Sequence, residues 1–356
     1  MTGGSLRAAD GALDAGDSRV TLGCLAGLAA GVNFRTRISG TAGRDVVLAA
    51  LKALGVRVDA DGSGIAVNGG ALSAGTFDAE APDTAVKAAF FLAGLAAQGE
   101  VRLRQPASGD DDLEVLLKAA GIAFEKVKEV GKDGYDLFLT GPQTAQPALH
   151  DLPGDPDVAL YLLGAAAMLP QSELMVHGVG NDWKSRRVLE LLRRFNAQID
   201  IQVARSASKF AVRTVRVKKS ELRRSRLAGD LTALFLDEVP FIAVLATQAA
   251  GETVIRNAEG LRKGPVDRLA CVIENLRRMG ARVGEMPDGL VVQGPVRLQG
   301  AELDAAGDVR VALALALAGL AAEGETQIAR TGTMGEDFVA LFERLSAVVN
   351  EKRGAS

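Results

Sequence analysis

One phrase recurs five times along this chain of 356 residues, and it constrains the fold more than any other feature. It reads LAGLAAG ending at Gly31, LAGLAAQGEVRL from Leu92, LLGAAAMLPQSELMV from Leu162, LATQAAGETVI from Leu245 and LAGLAAEGETQI from Leu317. A spacing of roughly 70 residues signals a supersecondary unit repeated in tandem. In each copy an Ala/Leu-rich helix ends at Gly or Pro and a short strand follows, such as Glu252–Arg256. A second, amphipathic helix comes next, then a strand or hairpin. The second helix is clearest where Leu269, Val272, Ile273, Leu276 and Met279 recur at helical spacing and Gly280 supplies the stop. Comparable helices are expected over Val46–Leu54, Leu113–Ala120, Val188–Phe195 and Phe338–Val348. Around Pro287-Asp288-Gly289 apolar and polar residues alternate, which reads as a hairpin. Strands alternating with helices at this spacing give α/β layers, and the length calls for two domains.

Composition narrows the function classes. Aromatic residues make up only 4% and the net charge is −3, so little stacking surface or long-range steering is offered to nucleic acid. One segment runs against this balance: 204–227 holds nine Lys/Arg against one Glu. It reads as a solvated strand and connector, with a patch for an acidic partner as the alternative; Phe210 is its only aromatic, which argues against single-strand binding. No apolar run reaches ~18 residues, so no membrane span is expected, and the N-terminus lacks the pattern of a signal peptide. Cys24 and Cys271 fall in separate helical patterns and read as small buried hydrophobes of a reducing, cytoplasmic compartment. His150 and His177 are too few for a zinc site or a hydrolase triad. Phe90 and Phe91, in an apolar helix, are expected in the core.

The later part of the chain carries a resemblance. The runs LFLDEVPFIAVLATQAAGETVI, LRKGPVDRLACVIENLRRMGARV and GDVRVALALALAGLAAEGETQI, and upstream of them VGNDWKSRRVLELLRRFNAQIDI, resemble the EPSP synthase family of enolpyruvyl transferases. The first two repeats fit that family by pattern and order. The resemblance implies two domains of repeated βαβαβ-type units, the inside-out α/β barrel, of which this chain holds about five of six. It implies a smaller N-terminal domain over 17–148 with two units. A C-terminal domain over 149–356 holds three, with 1–16 as an added strand. The absent unit would be the third of the N-terminal domain. The family moves the carboxyvinyl group of phosphoenolpyruvate onto a hydroxyl of shikimate 3-phosphate, with no metal or organic cofactor, so its cleft needs Lys and Arg donors, a base and an acid.

Three positions keep the family pattern. Asp237 in LDEVP matches the carboxylate at the acceptor hydroxyl, Arg268 in VDRLA matches an arginine that holds phosphoenolpyruvate, and Arg310 in GDVRVALA matches a second, with Val309 where the family has histidine. Without catalysis, Asp237 would cap a helix and the arginines would pair with Asp267 and Asp308. Other positions depart. The family's KE(T/S)DR segment has Gly264 for its lysine and Pro265 for its glutamate; Glu336 stands where a lysine is expected. Asp17 stands near the lysine of the N-terminal motif, with Arg19 two residues on. APDTAVK over 81–87 replaces the glycine-rich phosphate turn, and Gly154-Asp155-Pro156-Asp157 puts two acids near a phosphate motif. Lys87 is a further candidate cation, and Trp183, Lys184, Arg186 and Arg187 cluster at a helix start. Each missing charge-assisted contact is worth ~1.5–3 kcal/mol. The leading expectation is therefore a family fold without the family reaction, a repurposed homologue free to take a protein partner. The alternatives are an active transferase binding phosphoenolpyruvate or another small anion, with shikimate 3-phosphate or a less charged acceptor, and a binder of an acidic partner through 204–227.

Overall fold

A computed structural model describes residues 6–80, 83–105, 112–128, 134–147, 152–203 and 212–332. The chain divides into two compact units, 1–150 and 151–356. In the first, β1 (Leu13–Asp14), α1 (Arg19–Ala30), β2 (Arg35–Ser39), α2 (Arg44–Lys52), β3 (Arg57–Ala60) and β4 (Gly64–Asn68) are followed by β5 (Leu72–Asp78), α3 (Thr84–Gly94), β6 (Ala97–Gln105), α4 (Asp112–Ala119), β7 (Glu125–Val127) and β8 (Tyr135–Gly141). The second holds α5 (Pro156–Met168), β9 (Glu173–Gly180), α6 (Trp183–Arg194), β10 (Gln198–Val203), β11 (Val212–Lys218), β12 (Arg226–Leu227), α7 (Asp230–Leu234), α8 (Val239–Thr247), β13 (Gly251–Ile255), α9 (Arg268–Arg278), β14 (Arg282–Met286), β15 (Gly289–Gly294), β16 (Glu302–Asp304), α10 (Val309–Ala321) and β17 (Gln327–Ala329).

Three sheets share one wiring. In the orders β1-β2-β4-β3, β5-β6-β8-β7 and β12-β13-β15-β14, the first strand lies parallel to the second. The hairpin that follows returns antiparallel to that second strand. The parallel step is the crossover through which each recurring Ala/Leu phrase runs: α1, α3, α8 and α10 lie between paired parallel strands, and α5 lies between the Gly154 bridge to Val179 and β9. A parallel pair needs such a connection because a tight turn cannot reverse the chain twice. Within the segment expected as an added strand of the second unit, Leu13 and Asp14 pair with Ile38 and Ser39 of the first.

The small residues of the phrase explain its persistence. A Cβ at Gly23 would lie 2.3 Å from the Ala85 carbonyl oxygen, and one at Gly27 would lie 2.6 Å from that of Ala89. Glycines four apart thus let α1 lie against α3 almost backbone to backbone. In the second unit Gly164 of α5 makes room for the Phe241 ring of α8, 2.7 Å from where its Cβ would be. Phe90 and Phe91 are fully buried in the core of the first unit. The surface helices close as their sequence implies, with Gly280 at φ 84° after α9 and Pro287-Asp288 turning between β14 and β15. The expected helix over Phe338–Val348 lies outside the described residues.

The basic segment is in part described. Arg213 of β11 is buried and donates to the Gly180 carbonyl, Arg216 pairs with Glu173, and Lys219 donates to the Met168 carbonyl at 2.9 Å. Arg223, Arg224 and Arg226 are exposed. Residues 204–211, Phe210 among them, lie outside the described residues. No helix among those described is long and apolar enough to cross a membrane.

Candidate functional site

Three core helices of the second unit bring their N-terminal ends together. Helix α5 is capped by Asp155, whose Oδ1 accepts from the amides of Asp157 (2.7 Å) and Val158 (3.1 Å). Helix α10 is capped by Asp308, which accepts from the Val311 amide at 3.0 Å. Before α8 the chain makes a 3₁₀ turn over Leu236–Glu238, and Pro240 at the helix start needs no amide partner. Aligned helix dipoles give such an end a positive potential, suited to anions. Here the chain supplies the anions itself.

From these ends a run of charges crosses four elements. Lys184 of α6 holds Asp157 Oδ1 at 2.6 Å, and Arg310 of α10 stands 3.8 Å from Asp157 Oδ2. The other arm of Arg310 lies 3.2 Å from Glu238 Oε1. Glu238 is only 2% exposed. Burial, reinforced by the negative charge of Asp157, pushes its pKa up to about 7 against the pull of Arg310 and Lys184. Tyr161 of α5 borders the same group and burial lifts its phenol to about 12, opposed by Arg310. Beside this run Arg268 donates to Asp237 at 2.7 Å and to Asp308 at 2.5 Å. Asp237 remains more than half exposed.

The structure therefore places Asp237 and Arg268 in direct contact, and Arg310 one residue along, through Glu238. It departs in one respect from the pairing read for a structural role: Asp308 does take Arg268, but Asp267 caps its own helix and pairs with Arg262 at 2.9 Å. Asp237 caps no helix by its side chain. Asp157, Lys184, Glu238 and Tyr161 were not singled out as partners. Glu238 had a signal, being the neighbour of Asp237 in LDEVP. Among the described residues no group of three His, Cys, Asp or Glu is placed to hold a metal ion.

The corresponding end of the first unit is simpler. Arg19 opens α1 and pairs with Asp83, which caps α3 by accepting from the Ala85 amide at 2.9 Å. Lys87 is 2% exposed and bonds both oxygens of Glu114, at 3.0 and 3.1 Å. Tyr135 and Lys126 border that pair. Gly264 and Pro265 sit in the bend before α9; Glu336, and Ala81 and Pro82 at the start of the 81–87 segment, lie outside the described residues.

Comparison with known proteins places the chain. Residues 1–345 match the family model of EPSP synthase (3-phosphoshikimate 1-carboxyvinyltransferase). A 3-phosphoshikimate 1-carboxyvinyltransferase of Brevibacillus brevis is 32% identical over 342 residues, 94% of this chain and 79% of that protein. Those of a Synechococcus strain and of Herpetosiphon aurantiacus are 35% and 36% identical, with 77% and 76% of their lengths covered. Among solved structures, EPSP synthase from Acinetobacter baumannii superposes with a TM-score of 0.82 at 24% identity, over 96% of this chain and 80% of that one. The enolpyruvyl transferase NikO from Streptomyces tendae gives 0.61 at 23% identity, over 84% and 69%.

Proposed function

The chain belongs to the EPSP synthase family and has its fold, and on that basis we propose that it no longer carries out carboxyvinyl transfer from phosphoenolpyruvate to shikimate 3-phosphate. In this reading it is a cytoplasmic, non-catalytic or repurposed homologue whose two units, with two and three repeats, serve as the family's two domains. One observation carries it: both arginines that match phosphoenolpyruvate-holding positions are engaged by carboxylates of the chain, Arg268 by Asp237 and Asp308, Arg310 by Glu238 and Asp157. An incoming phosphate would have to displace these partners and sit among four carboxylates against Lys184, Arg268 and Arg310. Coulomb repulsion at such separations is large in a partly desolvated site.

The second reading is an active transferase, on shikimate 3-phosphate or a less charged acceptor. Asp237, exposed beside Arg268, and Glu238, close to neutrality beside Arg310, favour it, since they pair a base with a group able to exchange a proton near pH 7. Phosphate release from phosphoenolpyruvate with shikimate 3-phosphate, with Asp237→Ala as control, tests the first reading. The proposal predicts no release above the control. Turnover that disappears in Asp237→Ala makes the protein a working synthase with relocated charges.

A further inference from the structure

Asp157 is held in a way that capping does not require. Asp155 already accepts the free amides at the start of α5. The side chain of Asp157 instead lies between two cations brought from separate elements, Lys184 of α6 and Arg310 of α10. Its side chain is 15% exposed with Oδ1 itself buried, and the cations are one-third exposed. Two cations converging on one carboxylate at a helix N-terminus is the arrangement that binds a free anion. The anion here is covalently part of the chain.

We propose that Asp157 is a built-in ligand. Its carboxylate occupies an anion-binding site formed by Lys184 and Arg310 beside the start of α5, and excludes a phosphate or carboxylate from solution. The proposal rests on the reading that the chain's own carboxylates have taken over the family's anion-binding end, and it assigns the decisive one. Asp157 is thus a specificity-determining residue: a carboxylate there admits no oxyanion, whereas a small hydroxyl leaves both cations to an external one. Glu238, which retains one arm of Arg310, limits how tightly that anion is held.

Inorganic phosphate is the probe, titrated at pH 8 and constant ionic strength by calorimetry and followed by the shift in melting temperature. Asp157→Ser binds phosphate at least about tenfold more tightly than the unchanged protein. The added Arg310→Gln abolishes the gain. Asp157→Asn keeps the shape without the charge, and gives the same gain in smaller measure should the serine variant lose its fold. Folded Ser and Asn variants with unchanged phosphate affinity overturn the proposal, and so does a gain that survives Arg310→Gln. These outcomes stand apart from the reading beneath: turnover by the unchanged protein with phosphoenolpyruvate and shikimate 3-phosphate sinks that reading, whatever the variants bind.

Discussion

The two units place their charges at different depths. In the first, the helix-end pair of Arg19 and Asp83 is largely exposed on the arginine side, and the buried pair, Lys87 with Glu114, lies farther along α3 against Tyr135. In the second, the burial is at the helix ends themselves, where Glu238 is enclosed beside Arg310, Asp157 and Lys184. A buried pair behind a helix end serves the core. A buried carboxylate at the end alters what that end can bind, because it occupies the positive potential of the helices and titrates within reach of neutral pH. The first unit thus carries its ionic cost in stability, and the second carries it in specificity.

The largest expected effect breaks the first unit's side of this contrast. Glu114→Ala leaves the Lys87 ammonium buried without that carboxylate and lowers stability by about 3–5 kcal/mol in urea denaturation; Lys87→Met with Glu114→Leu recovers most of it. Next, Gly27→Ala tests the close approach of α1 and α3. Alanine favours a helix by about 1 kcal/mol over glycine, yet its Cβ meets the Ala89 carbonyl. The variant is therefore less stable by about 1–3 kcal/mol, and a gain in stability contradicts the packing described.

The second unit is sharpened by pH. Glu238 has its folded pKa raised from 4.5 to about 7, so the folded state binds more protons than the unfolded one between those values. Stability contributed by the protonated form is full below about pH 4.5 and is lost as pH rises to about 7, by up to about 3 kcal/mol. Melting temperature measured from pH 5 to 8 falls over that window, and Glu238→Gln removes this component of the fall. The smallest effect belongs to the exposed pair: Arg19→Gln changes stability by less than about 1 kcal/mol, vanishing at high salt.

The fold was legible because its information is local. The phrase ending at Gly31 and its four successors mark core helices, and Leu269 to Met279 mark a surface helix, by spacing alone. Asp237, Arg268 and Arg310 were picked out through family resemblance, as residue types at motif positions. Their partners were not. Lys184 and Asp157 are 27 positions apart on different helices, and Arg310 is distant in sequence from both Glu238 and Asp157. Such contacts depend on how α5, α6 and α10 are brought together, which no local pattern encodes. The partner of Lys87 was hidden for a related reason: Glu114 comes from the next helix and bonds it in the core.

The most direct test is calorimetric titration of the unchanged protein with phosphoenolpyruvate, alone and with shikimate 3-phosphate present. The account predicts no saturable binding tighter than about 1 mM in either case, because Arg268 and Arg310 are already held by the chain's own carboxylates. Saturable binding that Arg310→Gln abolishes would contradict it, and would show that the ion pairs at the helix ends open for the family's substrate.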